Sequence, residues 1–153
     1  MLKVSGLKSY YRQDPTLIGR ILGKRVKCVR AVDQVSLALK SHAVLGIVGE
    51  SGCGKSTLAK TIAGLVAPTD GQIEFLDVDV TLPVEKRPRQ ILEELRMVFQ
   101  NPNSTLNPMQ DVEEIIGRPL KLSGVVPRSE VQEEIRRWLK AVNLDDSYIQ
   151  RRP

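Results

Sequence analysis

The sequence is poor in aromatic residues, cysteine and histidine, and these shortages exclude several classes of protein. Aromatic residues make up 4% of the 153 positions, so a core must be built mainly from Val, Ile and Leu. Cys28 and Cys53 stand far apart without a CxxC pair, and the chain has a single histidine. A zinc site and a disulfide framework are therefore not expected, and both cysteines are predicted to be free thiols.

Long apolar runs are also missing. The run at 43–48 (AVLGIV) lies between His42 and Glu50 and falls well short of the roughly 18 residues that a membrane helix needs. The first twelve residues lack the continuous apolar stretch of a secretory signal. We therefore expect a cytoplasmic protein without a transmembrane segment.

The excess of positive charge is concentrated in one segment. The net charge is +5, and residues 19–30 carry five basic residues and no acid. We interpret this segment as a solvated surface loop, with an acidic partner surface or anionic lipid as alternatives. Nucleic acid is not expected as a partner, because no aromatic residues interleave with these charges to stack on bases.

The apolar patterns that are present predict several strands. Residues 1–11 predict a short edge strand, and residues 31–40 alternate as in a strand with one buried face. The continuous apolar run 43–48 predicts a strand covered on both faces of a parallel sheet. Residues 71–76 and 96–100 predict two further strands.

Helical spacing predicts two helices in the middle of the chain. Leu58, Ile62 and Leu65 recur at i, i+4 and i+7, which predicts an amphipathic helix that ends near Gly64. A second, short helix is predicted around residues 89–95.

The last third of the chain predicts two more helices. Asp111 is placed to cap the first of them, with Glu114 three residues on, and Pro119 is expected to end it. Ser129 and Gln132 predict a capping box for the second. The first is expected to bury Val112, Ile115 and Ile116, and the second Val131, Ile135, Trp138, Leu139 and Val142.

Residues 49–57 (GESGCGKST) fit the phosphate-loop pattern G-x-x-x-x-G-K-[ST] between a predicted strand and a predicted helix. The glycines allow a tight turn that points backbone N–H groups inward, where the positive end of the helix dipole adds to them. Lys55 would reach the β- and γ-phosphates, Ser56 would ligate Mg²⁺, and Thr57 would face the α-phosphate. The alternative is a glycine-rich turn that precedes a helix by chance.

Two flanking features extend this predicted site. Tyr10 and Tyr11 end the first strand, where an aromatic face can stack on a base. Gln100 ends the strand 96–100 with its amide available to Mg²⁺ or water.

With these motifs, the sequence resembles the ATP-binding subunits of ABC transporters, in particular the branch that imports oligopeptides, dipeptides or nickel. The resemblance rests on AVDQVSLAL followed by GIVGESGCGKSTLAKTIAGLVAPTDGQI, and on MVFQNPNSTLNP followed by IIGRPL. It implies an α/β P-loop NTPase fold of ABC type, with a mixed sheet, flanking helices, antiparallel edge strands and the start of a helical subdomain. Residues 1–100 would form the nucleotide-binding core, and 101–153 the Q-loop with an incomplete helical subdomain.

The resemblance also implies cofactors and site residues. ATP and Mg²⁺ are the expected cofactors, with Lys55 and Gln100 in catalytic roles and Ser56 and Gln100 at the metal. The expected nucleotide-binding residues are Tyr11, Gly49, Glu50, Ser51, Gly52, Cys53, Gly54, Lys55, Ser56 and Thr57. Tyr11, rather than Tyr10, is the residue expected to stack on adenine. His42 stands where the family has a turn glycine, and we expect it to adopt a positive φ.

The implied partners are membrane permease subunits, reached through residues 101–120, and a second ATP-binding subunit, at the cytoplasmic face of the membrane. The family's LSGGQ signature, Walker B acids and switch histidine do not follow within the 153 residues, so we expect the chain to be a truncated N-terminal half that is inactive alone. Two alternatives stay open. One is a nucleotide-binding module without turnover, and the other is an ABC ATPase with a role outside transport.

Overall fold

The computed structural model describes residues 1–13, 27–101 and 105–153. These residues form two compact units, Met1–Arg96 and Met97–Pro153. Most of the basic segment 19–30 lies outside the described residues, and so do residues 102–104 within the stretch MVFQNPNSTLNP. The described residues include no helix long and apolar enough to cross a membrane.

The first unit is built on a four-stranded antiparallel sheet. Its strands are β1 (Leu2–Gln13), β2 (Lys27–Leu39), β3 (Asp70–Phe75) and β4 (Val78–Asp79), in the spatial order β2-β1-β3-β4. The strand predicted for residues 1–11 is therefore present, but its prediction as an edge strand was wrong. β1 has a hydrogen-bonded neighbour on both sides, because its apolar residues pack in the centre of the core.

The core of this unit joins the sheet to two helices. These are α1 (Lys55–Ile62) and α2 (Arg89–Glu94), close to the predicted bounds. Leu58 of α1 and Ile91 of α2 are buried with Leu7 and Ile73 of the sheet. The predicted apolar stripe of α1 was wrong at Leu65, which is 49% exposed because the helix has already ended. The buried core residues of the unit are Val4, Leu7, Val32, Leu58, Ile73, Val80 and Ile91.

Two predicted strands are not formed. Residues 43–48 and 96–100 have no strand assignment, and Val44, Val48 and Val98 are each at least 94% exposed. A strand exists only where a neighbouring backbone completes its hydrogen bonds, and within the described residues neither segment has such a neighbour. The prediction that residues 43–48 are covered on both faces was therefore wrong for this structure.

The second unit contains a helical hairpin. Its helices are α3 (Val112–Ser123) and α4 (Val131–Ala141), followed by a short 3-10 helix at Asp146–Tyr148. Their core consists of Leu120, Val131, Ile135 and Leu139. Asp111 caps α3 as predicted, since its carboxylate accepts a hydrogen bond from the Glu114 amide at 2.8 Å.

Three predictions for this hairpin were wrong. Pro119 does not end α3, because burial of Gly117 and Leu120 holds the helix together until Gly124, which has a φ of 67°. Ser129 does not cap α4, which begins at Val131 without a side-chain cap. The predicted buried residues were also partly wrong. α3 buries Gly117 and Leu120 and not Ile115, and Val142, predicted to be buried, is 63% exposed.

The buried stripe predicted for the second helix was also wrong at Trp138, which is 45% exposed. Its indole N–H donates to the Glu134 carboxylate at 2.8 Å, one helical turn earlier on α4. An indole N–H needs an acceptor, and this exposed carboxylate provides one at the surface.

Candidate functional site

The candidate site is the loop that leads into α1. Residues 49–54 precede the helix directly, and Gly54 stands at its N-cap with a φ of 101° and no side-chain hydrogen bond to the first turn. The first intrahelical hydrogen bond runs from the Leu58 amide to the Gly54 carbonyl at 2.9 Å. The amides before Leu58 therefore lack acceptors within the helix, and they point out of its N-terminal end.

Gly54 also holds the loop against the sheet. A β-carbon at this position would overlap the carbonyl oxygen of Ala31 in β2. Only a residue without a β-carbon allows the loop backbone to approach β2 this closely. Ala31 could not be connected with the loop from the sequence, because a contact between residues 23 positions apart leaves no periodic signal in a single chain.

The Lys55 ammonium lies across the loop. Its Nζ donates to the carbonyl oxygens of Gly49 and Glu50, both at 2.7 Å, and lies 3.5 Å from the Cys53 thiol sulfur. Lys55 is half-buried, whereas Cys53 and Ser56 are exposed. A full positive charge is thus held beside the unpaired amides of the helix N-terminus.

This arrangement suits a polyphosphate. Backbone N–H groups at a helix N-terminus bind anions, and the helix dipole favours negative charge there. Lys55 adds a charged donor, and the exposed Ser56 hydroxyl is a hard oxygen ligand of the kind that Mg²⁺ accepts. The donors present therefore fit a nucleoside triphosphate with its cation.

The two tyrosines of β1 have different surroundings. The Tyr10 hydroxyl donates to the Asp33 carboxylate at 2.5 Å, and this hydrogen bond raises the pKa of Tyr10 above its ordinary value. The Arg30 guanidinium lies over the Tyr10 ring, 5.7 Å from its centroid. Tyr11 is 42% exposed and pairs with Val29, two residues before Ala31 on β2. The Tyr10 side chain is thus held by Asp33 and Arg30, and the Tyr11 side chain is partly exposed.

The predicted site residues are divided between the two units. The structure brings Gly49, Glu50, Ser51, Gly52, Cys53, Gly54, Lys55, Ser56 and Thr57 together in one loop and helix turn, and Tyr11 belongs to the same unit. Gln100 is exposed and belongs to the second unit. His42 occupies a turn with a φ of 58°, as expected.

Comparison with known proteins identifies relatives over the whole chain. The model of the ABC transporter family matches residues 32–153. The oligopeptide transport ATP-binding protein AppF of Bacillus subtilis is 38% identical over 154 residues, which cover 100% of this chain and 46% of AppF. The nickel import ATP-binding protein NikE of Escherichia coli is 34% identical over 153 residues, covering 100% of this chain and 55% of NikE. The chain thus spans about half the length of these relatives.

Solved structures agree with this comparison at the level of the fold. The ATP-binding cassette MJ0796, in a dimeric structure of a post-hydrolysis state bound to ADP and Pi, aligns with a TM-score of 0.73 and 23% sequence identity. The alignment covers 100% of this chain and 62% of that chain. The chain therefore shares the fold of an ATP-binding cassette.

Proposed function

Because the chain belongs to the ABC transporter family, we propose that it is the N-terminal part of an ATP-binding subunit that powers import of oligopeptides, dipeptides or nickel. The observation that carries the nucleotide part of this proposal is the position of the Lys55 ammonium, 2.7 Å from two loop carbonyls at an uncapped helix N-terminus. The import part rests on relatives such as AppF, DppF and NikE, which are named for transport of oligopeptides, of di- and tripeptides, and of nickel.

Each residue of the loop has a role in this proposal. The backbone amides of residues 49–57 bind the phosphates, Lys55 neutralises charge on the β- and γ-phosphates, and Ser56 ligates Mg²⁺. The partly exposed aromatic ring of Tyr11 stacks on the adenine. Bound ATP with Mg²⁺ supplies the phosphoryl group whose transfer drives transport.

Gln100 and the helical hairpin complete the proposal. The Gln100 amide is assigned to Mg²⁺ and the γ-phosphate, and residues 101–120 to contact with membrane permease subunits. A second ATP-binding subunit is the proposed dimer partner, and the location is the cytoplasmic face of the membrane. The dimeric neighbour structure supports the pairing of two cassettes.

Nucleotide binding is tested with Lys55→Ala. We expect labelled ATP to bind the wild-type chain, and the variant to bind at least about tenfold more weakly. The reason is that a hydrogen bond to a charged group contributes about 1.5–3 kcal/mol. Lys60→Ala is the matched control, since Lys60 is an exposed lysine on α1 itself. Equal affinity of the wild type and Lys55→Ala would remove the basis for a phosphate site.

Import is tested in cells from which the gene has been deleted. Uptake of a radiolabelled dipeptide and of nickel are measured separately, and we expect one of them to fall. The wild-type gene should restore uptake and Lys55→Ala should not. Unchanged uptake of both substrates would contradict the import proposal while leaving nucleotide binding intact.

A further inference from the structure

Arg87 is a buried cation next to the end of α1. It is 6% exposed and follows a short 3-10 helix at Val84–Lys86. Its Nε donates to the Leu82 carbonyl and its Nη1 to the Ile62 carbonyl, both at 2.9 Å. Ile62 is the last residue of α1, so the guanidinium binds the C-terminal end of the helix that begins in the phosphate loop.

The charge of this guanidinium is compensated by the helix. Burial lowers the pKa of Arg87 from its usual value, although an arginine stays charged at neutral pH. The free carbonyls at a helix C-terminus carry partial negative charge, which favours a cation there. Within the described part of the chain, the Arg87 Nη2 is buried without a hydrogen-bond partner. A cation is therefore kept in the core although one of its donors is unsatisfied.

The contact is tight because a glycine, Gly64, follows shortly after the end of α1. Gly64 has a φ of 81°, and a β-carbon on it would lie 2.6 Å from the Arg87 Cζ. The Gly64 carbonyl also accepts from the Val84 amide at 3.1 Å. Segment 82–87 is thus joined to the end of α1 by two hydrogen bonds and by the packing of the guanidinium on Gly64.

The other contacts of the helix with the unit are the approach of Gly54 to Ala31 and the packing of Leu58 and Ile62 on the core. The helix is eight residues long, it has no side-chain cap at Gly54, and its buried residues are Leu58 and Thr61. A helix this short depends on tertiary contacts for its position. Its first turn carries the amides and the lysine of the phosphate loop, so a tilt at the far end moves the phosphate-binding groups.

We propose that Arg87 is a positioning residue for the phosphate loop. By holding the Ile62 carbonyl and packing on Gly64, it fixes the tilt of α1, and hence the direction in which the first-turn amides and Lys55 point. This role rests on the proposed nucleotide binding. It concerns affinity for the triphosphate, which is separate from the contribution of Arg87 to folding.

The test compares Arg87→Met, Arg87→Lys and the wild type in binding of a fluorescent ATP analogue, at a temperature where circular dichroism shows each protein folded. We expect the Kd of Arg87→Met to rise about tenfold, which corresponds to about 1.4 kcal/mol, because the first-turn amides and Lys55 are then no longer held in the direction of the phosphates. Arg87→Lys should recover part of this loss, because an ammonium can still donate to the Ile62 carbonyl. Ile91→Val is the control, since Ile91 is buried in the same core and its truncation lowers the unfolding temperature while the two Arg87 hydrogen bonds keep their donor and acceptors.

The outcomes separate this inference from the proposed function. If the wild type binds, Lys55→Ala does not, and both Arg87 variants bind like the wild type, the positioning role is overturned and the phosphate site stands. An equal rise of Kd in Ile91→Val and Arg87→Met would also overturn it, because loss of stability alone would then explain the effect. If Arg87→Met fails to fold, the Kd of Arg87→Lys decides, and an unchanged value overturns the role. If the wild type itself does not bind, the proposed nucleotide binding fails and the inference fails with it.

Discussion

At the scale of single residues, the phosphate loop depends on one glycine more than on its neighbours. Gly54 combines a left-handed φ of 101° with a backbone that touches the Ala31 carbonyl. A side chain here is unfavourable for two reasons. The left-handed conformation costs an L residue about 1–2 kcal/mol, and a β-carbon would overlap the Ala31 carbonyl oxygen. Gly46, in contrast, has open space around it and no positive φ.

Gly54→Ala is therefore expected to lower the free energy of unfolding by at least about 1–2 kcal/mol and to weaken ATP binding by about tenfold or more. The first effect comes from strain, and the second from displacement of the amides that follow residue 54. Urea unfolding and labelled-nucleotide titration measure the two effects. Gly46→Ala is the matched control and should change neither quantity. Equal behaviour of the two variants would show that the loop does not need its approach to β2.

The sequence predicted the loop better than its surroundings. The spacing of Gly49, Gly54 and Lys55 is a local signal, and the helix that it predicts does begin at Lys55, directly after the loop. The choice between Tyr10 and Tyr11 depended on a family resemblance, because both have the same chemistry. The structure separates their surroundings through Asp33, whose carboxylate binds the Tyr10 hydroxyl. Arg87 had no sequence signal, since its partners are backbone carbonyls that any residue provides.

At the scale of elements, the ends of helices show which local patterns are reliable. Asp111 and Ser129 both precede an apolar helical pattern with an acid or amide three residues on. The Asp111 carboxylate does bind the Glu114 amide, whereas α4 begins only at Val131. A capping residue is effective only if the chain before the helix is extended, and Asp111 has a ψ of 170°.

Asp111→Ala should therefore lower the free energy of unfolding by about 1 kcal/mol, because an orphan amide of α3 loses its acceptor. Ser129→Ala is the control on the neighbouring helix and should change it by less than about 0.5 kcal/mol, as is usual for an uninvolved surface position. The free energies of unfolding of the two variants are compared by chemical denaturation, with the circular dichroism signal of the helices as the readout. A loss in Ser129→Ala as large as that in Asp111→Ala would contradict the cap assignment.

Strands were harder to predict than helices in this chain. The backbone hydrogen bonds of a helix form within the helix itself. The patterns at 55–64 and 89–95 were therefore enough to locate α1 and α2. A strand depends on a neighbouring strand, which can lie anywhere in the sequence. The strand predicted at 31–40 is formed as part of β2 and pairs with β1, whereas the apolar run at 43–48 has no such neighbour among the described residues.

At the scale of the whole molecule, the most unusual feature of the first unit is the exposure of this apolar run. Val44 and Val48 are 97% and 95% exposed, and Leu45 and Ile47 are each 45% exposed. Contiguous apolar surface of this kind marks an interaction site or an aggregation hazard. An extended segment whose backbone groups lack strand partners can in addition pair with another chain.

We therefore expect the 153-residue chain to self-associate as its concentration rises. Replacing Val44 and Val48 together by threonine keeps the shape of both side chains and removes apolar surface. The concentration for half-maximal association, measured by analytical ultracentrifugation, should then rise by at least roughly tenfold, since fully burying each valine contributes about 1.5–3 kcal/mol and threonine keeps only part of that apolar surface. Val142→Thr is the control, because Val142 is 63% exposed at the end of α4, far along the chain from the run. A monodisperse wild-type chain at high concentration, or equal association of the double variant, would show that residues 43–48 do not drive contact between chains.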